Sequence, residues 1–336
     1  MIYEVEIPRT LDLMQSVFYK SSPIKFPGFF LSTSTGRSAM FLILNYLKTT
    51  GIIKDKNTTI LVPKWLCTSV VHLARKHCSP ILSTDHSPKM VLVYHQYGFP
   101  QDMDEIMDHC DRMNITIIED CAHAYEGYYK GKRLGTFGSA SIFSFSKIFP
   151  SIWGGGLATQ NEDLYDFAQK KQDRNHFRWF SLFFHLTKYK SDKKRAKNRS
   201  VWNNLRDMSY GSVESAQKIN TLSLKIISNN FDKKVLDQRR KNYLFLLDYF
   251  KNTDFFSSLE REGIYPYVVP LITSEKRLHR ISEALLKRNI NTGVYHFDIN
   301  RNIFNPVFEK CLWVPIHQGL SIKKMSKICD TISSAS

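Results

Sequence analysis

The chain has 336 residues, of which 43% are hydrophobic and 23% charged, with 15 Gly and 12 Pro; this ordinary globular make-up excludes collagen-like, low-complexity and disordered chains. Lys and Arg outnumber Asp and Glu by 47 to 31, a net charge of +16 that asks for an anionic partner or a basic segment. No run of 18 or more uncharged apolar residues exists, which excludes a membrane-spanning helix, and six cysteines (67, 78, 110, 121, 311, 329) lie scattered without disulfide or zinc spacing, as in a reducing cytoplasm.

At the start, Glu4, Glu6 and Arg9 stand where a signal peptide needs apolar residues, so a chain that is not exported is expected. After Ser34-Thr35-Gly36, apolar residues Met40, Ile43, Leu44 and Leu47 recur at helical spacing. Ile60-Leu61-Val62 reads as a strand closed by Pro63, and a helix-like stretch (Val70, Leu73, Ala74) leads to Ile81-Leu82. Val91–Tyr94 predicts a strong strand, Met103, Ile106, Met107 and Cys110 a helix, and Ile115–Ile118 and Ser141–Phe145 two further strands. Strands alternating with helices predict βαβ units and a mainly parallel sheet, whose ligands sit at the carboxyl ends of the strands.

Residues 174–199 break the pattern. Nine Lys/Arg against one Asp there supply half of the net charge, and Phe177, Trp179, Phe180, Leu182, Phe183, Phe184 and Leu186 precede the basic run. A solvated basic face, an amphipathic helix at an anionic membrane surface, and a site for polyanionic substrates all fit this composition; nucleic-acid binding lacks a reading motif. A long helix-like segment follows at about 213–251, then strand-like Tyr267–Ile272, an amphipathic segment at 275–288 and a last helix after Ser321. The expected division is a large domain over 1–225, carrying 174–199 as an insertion, and a smaller α+β domain over 226–336.

The predicted strand ends carry the chemistry. Asp120, in Glu119-Asp120-Cys121-Ala122-His123, places a carboxylate where it can hold a cationic ring nitrogen. Lys147 follows Ser144-Phe145-Ser146 and precedes Trp153-Gly154-Gly155-Gly156, so an amine able to form a Schiff base lies beside a backbone that can approach a flat cofactor. Gly36, Arg37 and Ser38 open a helix whose amides and dipole suit a phosphate. Each of these has an ordinary alternative: a turn residue, a solvated lysine, a plain helix start. Together they meet the three requirements of pyridoxal 5′-phosphate (PLP).

The runs at 93–106 (VYHQYGFPQDMDEI), 117–147 and 154–159 (GGGLAT) resemble the DegT-like sugar aminotransferases, and the resemblance resumes at Arg239–Tyr243 and Trp313–His317. It implies a fold-type I PLP-transferase with a mainly parallel seven-stranded sheet between helices and a smaller C-terminal α+β domain. It also implies a cytoplasmic homodimer that moves an amino group from glutamate to a nucleotide-linked keto-sugar, a 4-keto-6-deoxyhexose above all, for surface polysaccharide or glycan biosynthesis. On the membrane reading of 174–199, that enzyme works at the inner face of the membrane.

By the same resemblance, Lys147 and Asp120 are catalytic. Gly36, Arg37, Ser38 and Ser144 would bind the phosphate, and His123 would sit near the ring face and its 3′-oxygen. Trp65 is the candidate for stacking on the ring, with a core tryptophan as the alternative. His95 and Gln96 are candidates to line the pocket, and Arg174, His176, Arg178, Tyr295, His296 and Phe297, all expected on loops, to meet the substrate. No metal is expected. Three features depart from the family pattern: the spacing Ser144-x-x-Lys147 is short, no acid precedes Gly154, and Met208–Ser212 replaces an Asn-x-Arg segment. They leave a non-catalytic binding partner open as an alternative. A sugar dehydratase, the other alternative, would carry another residue, usually His, in place of Lys147.

Overall fold

The computed structural model describes residues 22–83, 87–151, 153–173, 215–230, 233–256, 259 and 262–336, with residues 2, 6, 18 and 20 placed singly. The strands are β1 (Phe29–Thr33), β2 (Thr59–Leu61), β3 (Ser79–Ile81), β4 (Met90–Tyr94), β5 (Thr116–Cys121), β6 (Tyr128–Tyr129), β7 (Lys132–Arg133), β8 (Ala140–Ser144), β9 (Gly155–Thr159), β10 (Val268–Ile272), β11 (Val294–Asp298) and β12 (Phe308–Pro315). The described α-helices are α1 (Gly36–Thr49), α2 (Thr68–Arg75), α3 (Met103–Met113), α4 (Glu162–Lys171), α5 (Thr221–Asn230), α6 (Lys233–Tyr249), α7 (Glu275–Lys287) and α8 (Ile322–Ala335).

A seven-stranded sheet runs in the order β1-β9-β8-β5-β4-β2-β3. Five strands, β8-β5-β4-β2-β3, are parallel, as the alternation of strand and helix predicts. Two strands that the sequence pattern did not show, β1 and β9, close the other edge in antiparallel register. Two glycines at its start hid β9, because glycine carries little strand propensity. Its place is dictated by close approach. A Cβ on Gly155 would sit 2.2 Å from the carbonyl carbon of Thr35, so the strand lies against the start of α1 only because that side chain is missing.

Helix α1 begins where Thr35, in extended conformation, accepts the Ser38 amide through its hydroxyl (3.1 Å). Ala39, Met40, Leu42, Ile43, Leu44 and Leu47 then bury one broad face against the sheet. Helix α3 packs Met103, Ile106 and Cys110 on the other face, with Val91, Val93, Ile115 and Ile117. It stops at Asn114, whose left-handed backbone (φ 52°) ends the helical run.

The smaller α+β unit is an antiparallel sheet β10-β12-β11, with α6, α7 and α8 contributing to its core. Among the described residues of the helix-like stretch 213–251, the helices are α5 and α6. Residues 295–297, expected on a loop, form the middle of β11. Hydrogen bonds tie this strand to the large sheet: Gln96 Nε2 and Tyr97 Oη donate to the His296 carbonyl at 2.8 and 2.7 Å, and the Asp298 amide donates to Gln96 Oε1 at 2.9 Å. Gln96 is thus a joint between the two sheets as well as a wall of the cavity described below.

Candidate active site

Asp120 sits in β5, in register with Tyr94 of β4 and Ile142 of β8. It is 2% exposed, and Oδ1 accepts the Ala122 amide at 2.9 Å. Burial pushes its carboxyl up to about 6, although the Ala122 hydrogen bond and the charges of His95 and Lys147 oppose the rise. A carboxylate under such pressure gains from a cationic partner.

Beyond β8 the chain turns once in a 3₁₀ helix, Phe145–Lys147. The turn is pinned because the Phe145 amide donates to the Gly154 carbonyl (2.8 Å) while the Gly154 amide donates to the Ser34 carbonyl (2.8 Å). Gly154 has φ +138°, which permits this double engagement. Lys147 Nζ lies 5.2 Å from the ring centroid of Tyr267, which comes from the small unit. That same ring stacks on His123, at 4.2 Å and 18°. His123 Nδ1 is 2.6 Å from the Tyr94 hydroxyl, and burial, with the charges of Lys147 and Arg239, holds its imidazole well below the ordinary range. The structure therefore draws Lys147, Asp120 and His123 to one place, floored by Tyr267.

The start of α1 closes the group. A Cβ on Gly36 would lie 3.0 Å from the Phe143 carbonyl oxygen and 3.7 Å from Ser144 Cβ, so the helix start and the end of β8 abut. Gly36, Arg37 and Ser144 are each partly exposed at this junction. Ser38 is different: it is fully buried, its hydroxyl is 2.8 Å from that of Ser34 and its amide is taken by Thr35, so it faces the interior and not the cup.

Four further residues are placed differently from what was expected. Trp65 has another ring as its stacking partner. It is 45% exposed and lies flat on His296, at 3.8 Å and 0°, across the seam between the two sheets. His95 is fully buried, with Nε2 3.1 Å from Glu119 Oε2 and Nδ1 accepting the Gln101 amide, so it holds the scaffold and lines nothing. Tyr295 stacks on Trp313 at 3.7 Å, and strand alternation puts it on the face opposite His296. Phe297 is buried in the core. Arg174, His176 and Arg178 lie outside the described residues.

Sequence reasoning missed four contributors. Tyr94 and Tyr267 read as strand residues, yet both touch His123. Cys67 counted only toward the redox balance. Burial alone would raise its thiol, but hydrogen bonds with Ser69 and the charges of Lys147 and Arg37 hold it below the ordinary range. Glu119 locks the loop between β7 and β8: it accepts from the amides of Gly135, Phe137 and Gly138 as well as facing His95, so its oxygens are fully engaged. The buried trio His95, Glu119 and Cys121 has metal-ligand composition, but that engagement gives it a structural role. Beside the group a cavity of about 260 Å³ opens between the sheets, walled by Trp65, Tyr94, Gln96, Gln101, Asp298 and Phe308 among others.

Comparison with known proteins places this geometry. The sequence model of the DegT/DnrJ/EryC1/StrS aminotransferase family matches residues 81–333. A GDP-perosamine synthase of Escherichia coli O157:H7 is 26% identical over 262 residues, which cover 73% of this chain and 65% of that protein. EpsN of Bacillus subtilis (strain 168), named for pyridoxal phosphate-dependent aminotransfer, is 43% identical over 84 residues, 24% of this chain and 22% of that one. The chain thus spans just under two thirds of the first of these relatives and far less of the second. Among solved structures, PseC of Helicobacter pylori, an aminotransferase involved in the biosynthesis of pseudoaminic acid, superposes with a TM-score of 0.69 at 12% identity, covering 98% of this chain and 96% of that one.

Proposed function

From the premise that the chain belongs to the DegT/DnrJ/EryC1/StrS aminotransferase family, we propose that it is a PLP-dependent aminotransferase acting on a nucleotide-linked keto-sugar, with glutamate as amino donor. The observation that carries this is the convergence of Lys147, Asp120 and His123 at the strand ends, against the start of α1. The donor set fits the cofactor: an amine for the aldehyde, a buried carboxylate for the ring nitrogen, a helix start for the phosphate. When bound, PLP supplies an electron sink for the bonds at the donor's α-carbon.

The chain's own residues do the rest. Lys147 holds the cofactor and then carries a proton to and from the substrate carbon. Asp120 keeps the ring nitrogen protonated, and its raised carboxyl becomes a stable anion once that cation faces it. Gly36 and Arg37 bind the phosphate, with Ser144 adding its hydroxyl. The cavity between the sheets is wide enough to admit a sugar, and Trp65, braced by its stack on His296, offers it an aromatic wall beside Gln96 and Gln101. Arg178 and Arg174 are proposed for the diphosphate. Perosamine-forming and pseudoaminic-acid relatives support a keto-sugar acceptor, and a 4-keto-6-deoxyhexose is the reading we favour.

The presence of Lys147 favours amino transfer over dehydration. A homodimer is proposed from the family pattern. No described helix is long and apolar enough to cross a membrane; contact of 174–199 with an anionic membrane surface rests on its composition alone. Flotation with anionic liposomes tests it, and absence of binding removes it.

The enzyme reading is tested by borohydride reduction followed by peptide mapping, and by adding glutamate. PLP should be fixed to Lys147 and to no residue in Lys147→Ala, and glutamate should bleach the visible band. Attachment elsewhere, or a static spectrum, overturns the assignment.

A further inference from the structure

Tyr94 has a role that no other part of the site accounts for. It stands at the end of β4 in register with Asp120, so the two side chains leave the same face of the sheet side by side. Its hydroxyl is 2.6 Å from His123 Nδ1, and this is its hydrogen bond among the described residues. The imidazole plane is set separately by the stack on Tyr267 at 4.2 Å, and Tyr267 is itself held by Arg239 Nη2 donating to its carbonyl (2.8 Å) and by its amide donating to the Tyr97 carbonyl (2.8 Å). Stacking fixes the plane of His123; the Tyr94 contact fixes which nitrogen faces which way.

Both groups are neutral. Burial, then neighbouring Tyr97 and Asp120, drives the Tyr94 phenol well above its ordinary range, and burial with the Lys147 and Arg239 charges drives His123 well below its own. A neutral imidazole has one N–H and one lone pair. If Nδ1 held the proton, the Tyr94 hydrogen would have no acceptor among the described residues. With the phenol as donor and Nδ1 as acceptor the pair is satisfied, and the ring proton is left on Nε2. His123 is 5% exposed overall, yet its Nε2 is not one of the sealed-off side-chain nitrogens among the described residues, so that N–H is open to the site.

The geometry points to Tyr94 as a positioning residue that holds His123 as the Nε2–H tautomer, so that the site presents one fixed N–H donor beside Lys147. This rests on the PLP reading above. In PLP, the carbon next to the aldehyde carries an ionisable oxygen; a donor close to the lysine that takes the aldehyde is placed to meet it. A neutral donor with a set tautomer holds that oxygen without adding a second cation next to the Lys147 amine.

The test uses full-length protein with ¹⁵N-labelled histidine, free of cofactor and then loaded with PLP, the His123 signals being assigned with His123→Gln. In the wild type, Nε2 should give a protonated-type signal and Nδ1 an unprotonated-type one, and PLP should move the Nε2 signal. Tyr94→Phe should mix the tautomers and raise the Kd for PLP about tenfold, the loss of one hydrogen bond to a charged oxygen. A protonated Nδ1 in the wild type, or an Nε2 signal indifferent to PLP, overturns the proposal; these two readings need no variant. A Tyr94→Phe protein with either the tautomer or the Kd unchanged overturns it as well. If the wild type binds no PLP at all, the enzyme reading fails, while the cofactor-free spectrum still decides the tautomer.

Discussion

Asp120→Asn separates the energetic cost of the site from its use. The carboxyl is 2% exposed, and its titration point moves from the ordinary 3.8 to about 6, chiefly through burial. At ~1.4 kcal/mol per tenfold, ionising this group in the folded, cofactor-free protein costs about 3 kcal/mol. The sign follows from proton binding. Below 3.8 both folded and unfolded chains are protonated and the cost is absent; between 3.8 and about 6 the unfolded chain releases its proton first, so stability falls as pH rises, and above about 6 the loss is complete. Asparagine removes the titration but brings a buried amide whose hydrogens need partners, a pH-independent cost of about 1–3 kcal/mol. The difference across pH is therefore the measurement. Urea unfolding of cofactor-free wild type and Asp120→Asn at about pH 4 and about pH 7.5 should show the variant gaining about 2.5 kcal/mol relative to wild type between the two. PLP should reverse the trend by stabilising the wild type more, because its ring nitrogen gives the carboxylate a cation. A stability difference that stays flat with pH refutes a buried, strained carboxyl.

The scaffold makes comparable predictions. Glu119→Gln places an amide where three backbone amides and His95 all face an acceptor, and should lower stability by about 2–4 kcal/mol in urea unfolding; a loss below about 1 kcal/mol would show that the loop between β7 and β8 is held by something else. Gly155→Ala forces a methyl to 2.2 Å from Thr35 and should cost about 1–3 kcal/mol while weakening PLP binding, because it pushes β9 from the start of α1; wild-type affinity in a titration would contradict that coupling. Trp65→Ala should raise KM for the nucleotide sugar about tenfold and leave the glutamate half-reaction within about a factor of two. Equal damage to both halves would make the stack a support for the cofactor site.

Much of the fold was legible because its signals are local. The periodicity of Met40–Leu47, the apolar run of Val91–Tyr94 and the strand ends at Asp120 and Ser144 announce α1, β4, β5 and β8 and place the carboxylate and the lysine proposed for catalysis. Backbone steric preference and apolar periodicity act within a few residues, so one sequence carries them whole. What the tertiary structure decided are contacts between segments far apart in the chain. The glycine run after Lys147 carried no strand signal, yet Gly155 and Gly156 open β9, because the missing Cβ of Gly155 lets that strand meet Thr35. His95 read as a pocket residue and is engaged instead by Glu119, 24 positions away, while Trp65, read as the ring-stacking residue, stacks on His296, more than 200 positions away, and walls the cavity. Tyr94 and Tyr267 gained a place by the same route. A side chain's chemistry is written in its residue type. Which way it faces, and whether another group has already satisfied it, depends on packing across the seam between the sheets, and no local pattern encodes that.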